Sequence, residues 1–235
     1  MAYSNDGANI AIGMRNGYLL IVDSQFAPVA KTQHSKNGTE ITAIKFSPDN
    51  KICAVGDQDG HIRLYDVNSK FRRAKICPGS KSFHKKNSTA VTAIDFSKDG
   101  SRLMTNNRSG EVLFYDTDTG KAVTNTEELR KLSFGFDLWY TWSCTFGWPV
   151  QGIFPANSDG SDVNACARSK DERVVATGDD AGRVNLYRFP CPQPNATACQ
   201  SVGHSAHVAN VAFSQKSDHL LSCGGADLSI FQWKY

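Results

Sequence analysis

No stretch of the 235 residues runs for ~18 apolar residues without a break, so a membrane-spanning helix is not expected. The opening Met1-Ala2-Tyr3-Ser4-Asn5-Asp6 has neither a basic start nor an apolar core, so it does not read as a secretory signal. Cys-x-x-Cys is absent, and the seven cysteines are an odd number. Free thiols in a reducing, cytoplasmic setting are therefore the expectation. Asn37-Gly-Thr, Asn87-Ser-Thr and Asn195-Ala-Thr are then read as surface turns rather than glycosylation acceptors. The glycines and prolines follow no collagen-like period. A formal charge of +3 is too mild to imply a nucleic-acid or membrane partner. What is present, 40% hydrophobic and 21% charged, is the balance of a globular chain and excludes wholesale disorder. The length fits one or two domains.

A repeat organises the chain. Ile41-Thr-Ala-Ile-Lys-Phe-Ser-Pro-Asp-Asn is echoed by Val91-Thr-Ala-Ile-Asp-Phe-Ser-Lys-Asp-Gly. Val163-Asn-Ala-Cys-Ala-Arg-Ser-Lys-Asp-Glu and Val208-Ala-Asn-Val-Ala-Phe-Ser-Gln-Lys-Ser repeat it more loosely, and Tyr3-Ser-Asn-Asp-Gly is the tail of a fifth copy. The aligned serines are Ser4, Ser47, Ser97, Ser169 and Ser214, spaced by 43, 50, 72 and 45 residues. That matches a ~40–45-residue repeat with insertions.

Each copy reads as short strands of β-branched and aromatic residues bracketed by Asp/Gly/Asn turns. The third strands align at 18–23, 61–66, 111–116, 183–188 and 229–234. Glu127-Glu-Leu-Arg-Lys131 is expected to hold one helical turn at most. Three strands and a weaker fourth make one propeller blade, and a blade needs neighbours to bury its faces. Gly203-His204 before the last repeat and Asp227-Leu-Ser-Ile-Phe-Gln-Trp233 closing it are the WD40 pattern. His204, Asp227 and Trp233 are the expected hydrogen-bonded blade-edge network. Cys223 falls where a Ser or Thr would complete it, so the network is expected to be partial. Tyr65, Tyr115 and Tyr187 take the Trp position elsewhere. The fold class is all-β, with about five WD40-type β-propeller blades at about 1–30, 31–80, 81–138, 139–195 and 196–235. With a first strand cut short and a last blade ending at its third strand, the expectation is an incomplete, open propeller prone to association.

The most specific residues lie in the widest gap: Thr141-Trp-Ser-Cys-Thr-Phe-Gly-Trp-Pro-Val-Gln-Gly-Ile-Phe-Pro155. With Ala176-Thr-Gly-Asp-Asp180, Val184-Asn-Leu-Tyr-Arg-Phe-Pro-Cys191 and Gly224-Gly-Ala-Asp-Leu-Ser-Ile-Phe-Gln-Trp233, this segment closely resembles the C-terminal blades of the echinoderm microtubule-associated protein-like family. The close match covers about 139–235, while 1–138 fit as generic preceding blades. The resemblance implies a propeller that associates with tubulin and microtubules in the cytoskeleton. The alternative is a generic WD40 adaptor for signalling or ciliary complexes, without tubulin contact.

Chemistry-bearing motifs are few. Gly-x-Ser-x-Gly, the phosphate-binding Gly-x-x-x-x-Gly-Lys and His-Glu-x-x-His are all absent, so no enzyme and no cofactor are expected. His204, His207 and Cys199 lack a suitably spaced fourth ligand, so no metal is expected. Asp57-Gln-Asp-Gly60 and Asn157-Ser-Asp-Gly-Ser-Asp162 lack the distal Glu of a calcium loop and read as turns. Trp139, Trp142, Trp148 and Phe154 are read as a packed connector rather than a recognition surface. Between Asp66 and Asp95 there is no acid, while Lys70, Arg72, Arg73, Lys75, Lys81, Lys85 and Lys86 give +7. These seven are the candidate contact for an acidic partner such as tubulin's tails, against the competing reading of a solvated, self-repelling loop. Phe71 and Phe83 are too few aromatics for a single-strand nucleic-acid groove.

Overall fold

The structure is a computed structural model describing residues 1–35, 37–77, 89–155, 158 and 160–235, with the backbone alone of Arg73 and Ala74. It divides into two compact units, Met1–Leu132 with Asp137–Tyr140, and Ser133–Phe136 with Thr141–Tyr235.

The first unit holds three antiparallel sheets. One runs β1 (Ala2–Tyr3), β2 (Asn9–Gly13), β3 (Tyr18–Asp23), β4 (Pro28–Gln33). The next runs β5 (Ile41–Phe46), β6 (Ile52–Asp57), β7 (Ile62–Asp66), β8 (Arg72–Cys77). The third has β9 (Val91–Phe96), β10 (Arg102–Asn107) and β11 (Val112–Asp116). The second unit holds β12 (Val163–Arg168), β13 (Val174–Asp179), β14 (Arg183–Arg188), β15 (Ala198–Val202), and then β16 (Val208–Phe213), β17 (His219–Gly224), β18 (Ile230–Lys234). Each sheet is an up-and-down meander in sequence order, which is a propeller blade. The expected fourth strand is present in three sheets. In the third sheet the chain returns to β11 by one bridge, Tyr115 to Ala122, before leaving for a helix.

Alternation explains the core. On β6, Cys53 and Val55 face the first sheet's Ala11, Leu19 and Ile21, while Ala54 faces Val91, Ile94 and Leu103 of the third. A middle strand buried on both faces is a continuous apolar run, as Ile52-Cys-Ala-Val is. Ala176 and Val184 pack likewise on Val208, Val211 and Leu220 in the second unit.

The aligned serines are turn anchors. Ser4, Ser47, Ser97, Ser169 and Ser214 donate Oγ–H to Asp6, Asp49, Asp99, Asp171 and Asp218 at 2.5–2.6 Å. Each Oγ also accepts the amide five residues on, at 2.9–3.2 Å. The turn between first and second strands is thus locked by side chains.

One expectation is corrected. The segment 127–131 lies in a nine-residue helix, α1 (Thr126–Phe134), not a single turn. Asn125 caps it by accepting the Glu128 amide at 3.0 Å, and Glu127 and Glu128 suit the first turn. A helix this short is marginal alone. Buried Leu132 and an Arg102 clamp hold it, with Arg102 bonding Glu128 and Asp116 at 2.7 Å each.

Three glycines set how closely sheets stack. A Cβ on Gly13 would lie 2.8 Å from Ile41 Cβ, on Gly56 2.7 Å from Val91 Cβ, and on Gly178 2.8 Å from Val208 Cβ. Each opposes the β-branched residue that opens the next sheet. Gly56→Ala and Gly178→Ala are each expected to destabilise by ~1–3 kcal/mol through overpacking. A lowered urea midpoint at unchanged m-value would show it. Val208→Ala should recover part of the Gly178→Ala loss; strict additivity of the two would refute the contact.

Candidate functional site

The basic stretch begins where β7 ends. Lys70 and Phe71 adopt left-handed backbone, φ 54° and 58°, which turns the chain sharply into β8. Phe71 is buried against Phe46, edge to face at 6.3 Å, and anchors that turn. Lys70 is exposed at the turn. Arg72 is exposed on β8, the outermost strand of its sheet, opposite Asp66. Arg73 pairs with Tyr65 along the backbone. Lys75 is already engaged, donating to the Thr117 carbonyl at 3.2 Å with Asp118 at 4.0 Å. Lys81, Lys85 and Lys86 lie outside the described residues. The turn thus presents Lys70 outward, and β8 presents Arg72 outward and ties Lys75 down.

The last blade's network is complete, which corrects the expectation placed on Cys223. His204 Nδ1 sits 2.9 Å from Asp227 Oδ2, and His204 Nε2 2.7 Å from Ser222 Oγ. Trp233 Nε1–H donates to the same Ser222 oxygen at 2.8 Å. The completing hydroxyl is one residue earlier than read from sequence. Ser222 opposes Phe231 in register, whereas Cys223 opposes Ile230 on the other face. A one-residue slip flips the face. Burial pushes the Asp227 carboxyl up, but bonds from His204, Ser229 and Ser205 outweigh it and hold the group at about 2.

A second network was not read from the sequence. His34, just past β4, places Nδ1 2.9 Å from the Tyr65 hydroxyl and Nε2 3.6 Å from Asp57 Oδ2. Tyr65 does stand at the Trp233 position, as expected. The sequence pattern does not mark His34, because no Gly precedes it and it lies seven positions before Ile41, whereas His204 lies four before Val208.

The aromatic connector is packed. Trp139 is wholly buried, donates Nε1–H to the Leu132 carbonyl at 3.3 Å, and stacks on Phe114 at 5.7 Å. Trp142 donates to the Cys144 carbonyl at 2.8 Å and lies 5.8 Å from Phe189. Trp148 meets Phe134, and Phe154 stacks on Phe146. A Cβ on Gly147, whose φ is 146°, would lie 3.0 Å from the Trp142 ring.

Among the described residues, no group of three His, Cys, Asp or Glu is placed to hold a metal ion. Both His204 nitrogens face protein partners. The Asp57 turn uses one carboxylate oxygen on its own amides, Asp59 at 3.0 Å and His61 at 2.8 Å. Residues 157 and 159 of the second acidic turn lie outside the described residues. All seven cysteines are free thiols. Burial pushes Cys77 up to about 12 and Cys191 up to about 11, which makes both poor nucleophiles.

Ser222→Ala would strand His204 Nε2 and Trp233 Nε1 together, an expected loss of ~1–3 kcal/mol. Cys223→Ala, on the half-exposed face, is expected to stay within ~0.5 kcal/mol. Denaturant melts of the two variants check this, and equal losses would restore Cys223 to the network. Because Asp227 is depressed, its contribution is present above 3.8 and is lost as pH falls toward about 2. The stability gap between the unmodified chain and Asp227→Asn should therefore close across that interval.

A family model described as "Echinoderm microtubule-associated protein second beta-propeller" matches residues 1–235. "Echinoderm microtubule-associated protein-like 1" of Rattus norvegicus is 33% identical over 97% of this chain and 27% of its own length. The "77 kDa echinoderm microtubule-associated protein" of Strongylocentrotus purpuratus is 37% identical over 97% of this chain and 32% of its own. The chain thus spans less than a third of either relative. A chain from a solved structure titled "Crystal Structure of Mitotic Checkpoint Complex" superposes with a TM-score of 0.54 at 17% identity, covering 96% of this chain and 56% of that one. That likeness speaks to the fold alone.

Proposed function

The chain belongs to the echinoderm microtubule-associated protein family, and from that membership we propose that it is a non-enzymatic docking module that contacts tubulin and works on the microtubule cytoskeleton. The observation that carries this reading is the family match over residues 1–235. The relatives' printed names make them microtubule-associated proteins. Rigid sheets with side-chain-locked turns suit a platform whose contacts are spread over edges and loops. The outward Lys70 at the turn and Arg72 on the outer strand, with the acid-free run beyond them, supply the charge that an acidic surface needs.

Two measurements test the proposal. The chain should retain soluble tubulin in pull-downs and co-sediment with stabilised microtubules, more strongly at low salt, because attraction between exposed charges fades over ~8 Å at physiological ionic strength. Reversing Arg72, Arg73, Lys85 and Lys86 to Glu should weaken binding several-fold at low salt, with the difference shrinking as salt rises. Unchanged affinity would remove the basic stretch from the interface. Absence of any tubulin interaction, with neighbours in cells that include no microtubule proteins, would favour the adaptor reading instead.

A further inference from the structure

His34 joins two sheets of the first unit. It follows β4 directly, and its side chain is wholly buried against the β6–β7 hairpin. Nε2 faces Asp57 Oδ2 at 3.6 Å and makes no hydrogen bond among the described residues. The same carboxylate oxygen lies 3.4 Å from His61 Nδ1 and 3.5 Å from Arg63 Nη1. His61 Nδ1 and Arg63 Nε are likewise buried without a hydrogen-bond partner. The other Asp57 oxygen is held by the turn's own amides.

Three nitrogen-bearing side chains therefore crowd one buried oxygen, and none comes closer than 3.4 Å. Buried polar atoms left this way call for an explanation. Charge supplies it. Arg63 balances Asp57, so the cluster is neutral only while both imidazoles are neutral. Nδ1 of His34 faces the Tyr65 hydroxyl at 2.9 Å, and Asp59 of the same turn as Asp57 is engaged by Thr39 at 2.9 Å. A neutral His34 carrying its proton on Nε2 suits both neighbours: its N–H is turned toward the Asp57 carboxylate at 3.6 Å, and Nδ1 accepts from Tyr65. A second proton would go to Nδ1, turn the tyrosine around and leave an uncompensated cation in the interior.

We propose that His34, Asp57, His61 and Arg63 form an acid-operated latch holding the outer strand β4 to the β6–β7 hairpin. Burial lowers His34 below its ordinary 6.5; Asp57 opposes this, while Arg63 and His61 add to it. A base depressed in the latched form binds its proton more readily once released. The latch is therefore fully closed above 6.5 and weakens as pH falls below it. The depressed Asp57 carboxyl acts in the same sense at lower pH, so acid opens the latch from both partners.

Hydrogen exchange on the full chain tests this, with rates corrected for intrinsic pH dependence. Peptides spanning 26–35 should lose protection between pH 7 and 5, by up to about tenfold per pH unit for one linked proton. Peptides spanning 208–213, in the other unit, should not respond. His34→Gln keeps a polar side chain without the titration and should flatten the response. Should that variant fail to fold, imidazole nitrogen shifts of the unmodified chain decide: His34 must be mostly neutral at pH 6.5. A charged His34 at that pH, β4 exchange that ignores pH, or an unchanged response in a folded His34→Gln would each overturn the latch.

Discussion

Stacking depends on one recurring contact, a second-strand glycine pressed against the β-branched residue that opens the following sheet. Gly13 meets Ile41, Gly56 meets Val91 and Gly178 meets Val208. Any side chain at the glycine would hold the sheets apart. A polar tie sits beside two of these contacts. Thr42 Oγ1 donates to the Val91 carbonyl at 2.6 Å, and Asn164 Nδ2 donates to the Val208 carbonyl at 3.1 Å. Both donors occupy the bulge in their own first strand, where the register slips between Ile41 and Ala43 and between Val163 and Ala165. The bulge turns a side chain off the sheet and toward the neighbour. Steric fit and hydrogen bond therefore fix the same point from two sides.

The outer edges are tied differently. There the contacts are polar and buried: His204 with Asp227, Ser222 and Trp233 in one unit, and His34 with Tyr65 and Asp57 in the other. The two differ in closure. Around His204 each nitrogen has a partner within 2.9 Å, and such a network is rigid. Around His34 the carboxylate is shared at longer range by three side chains. One motif thus yields a fixed edge where the bonds close and a conditional edge where they do not.

Local features were legible in the sequence, and long-range ones were not. The repeat, its strands and its serine-anchored turns follow from residues a few positions apart, so Ser47-Pro-Asp and Ser97-Lys-Asp announced themselves. The family emerged from the Trp142-to-Pro155 run, in which Trp142 is buried and Phe146, Trp148 and Phe154 are half-buried in ring contacts. The Ser222 difference is a matter of face: Leu221 and Cys223 share one side of β17 and Ser222 takes the other, and pairing with β18 decides which side meets His204. Helix α1 was under-read because Arg102, some two dozen residues earlier, supplies its clamp. His34 was missed because the added residues before Ile41 broke the spacing that exposed His204. Of the seven basic candidates, the sequence could not separate outward Arg72 from tethered Lys75, since the tether is a carbonyl beyond β11.

Where polar groups go also governs where a partner can bind. The turn carboxylates Asp49, Asp99 and Asp171 are held by their serines, and Asp57, Asp179 and Asp227 by amides of their own turns. A group already hydrogen-bonded must break that bond before it can recognise anything else, which weakens it as a contact. The outer strand β8 is different. Arg72 and Ile76 stand exposed on it, while Lys75 is tethered to the Thr117 carbonyl. Under the docking role proposed above, contacts fall to exposed cations such as Lys70 and Arg72, while Gly13, Gly56 and Gly178 set the spacing of sheets within each unit. In that role, a change at an outward cation acts on binding, whereas a change at Gly178 acts on the stack.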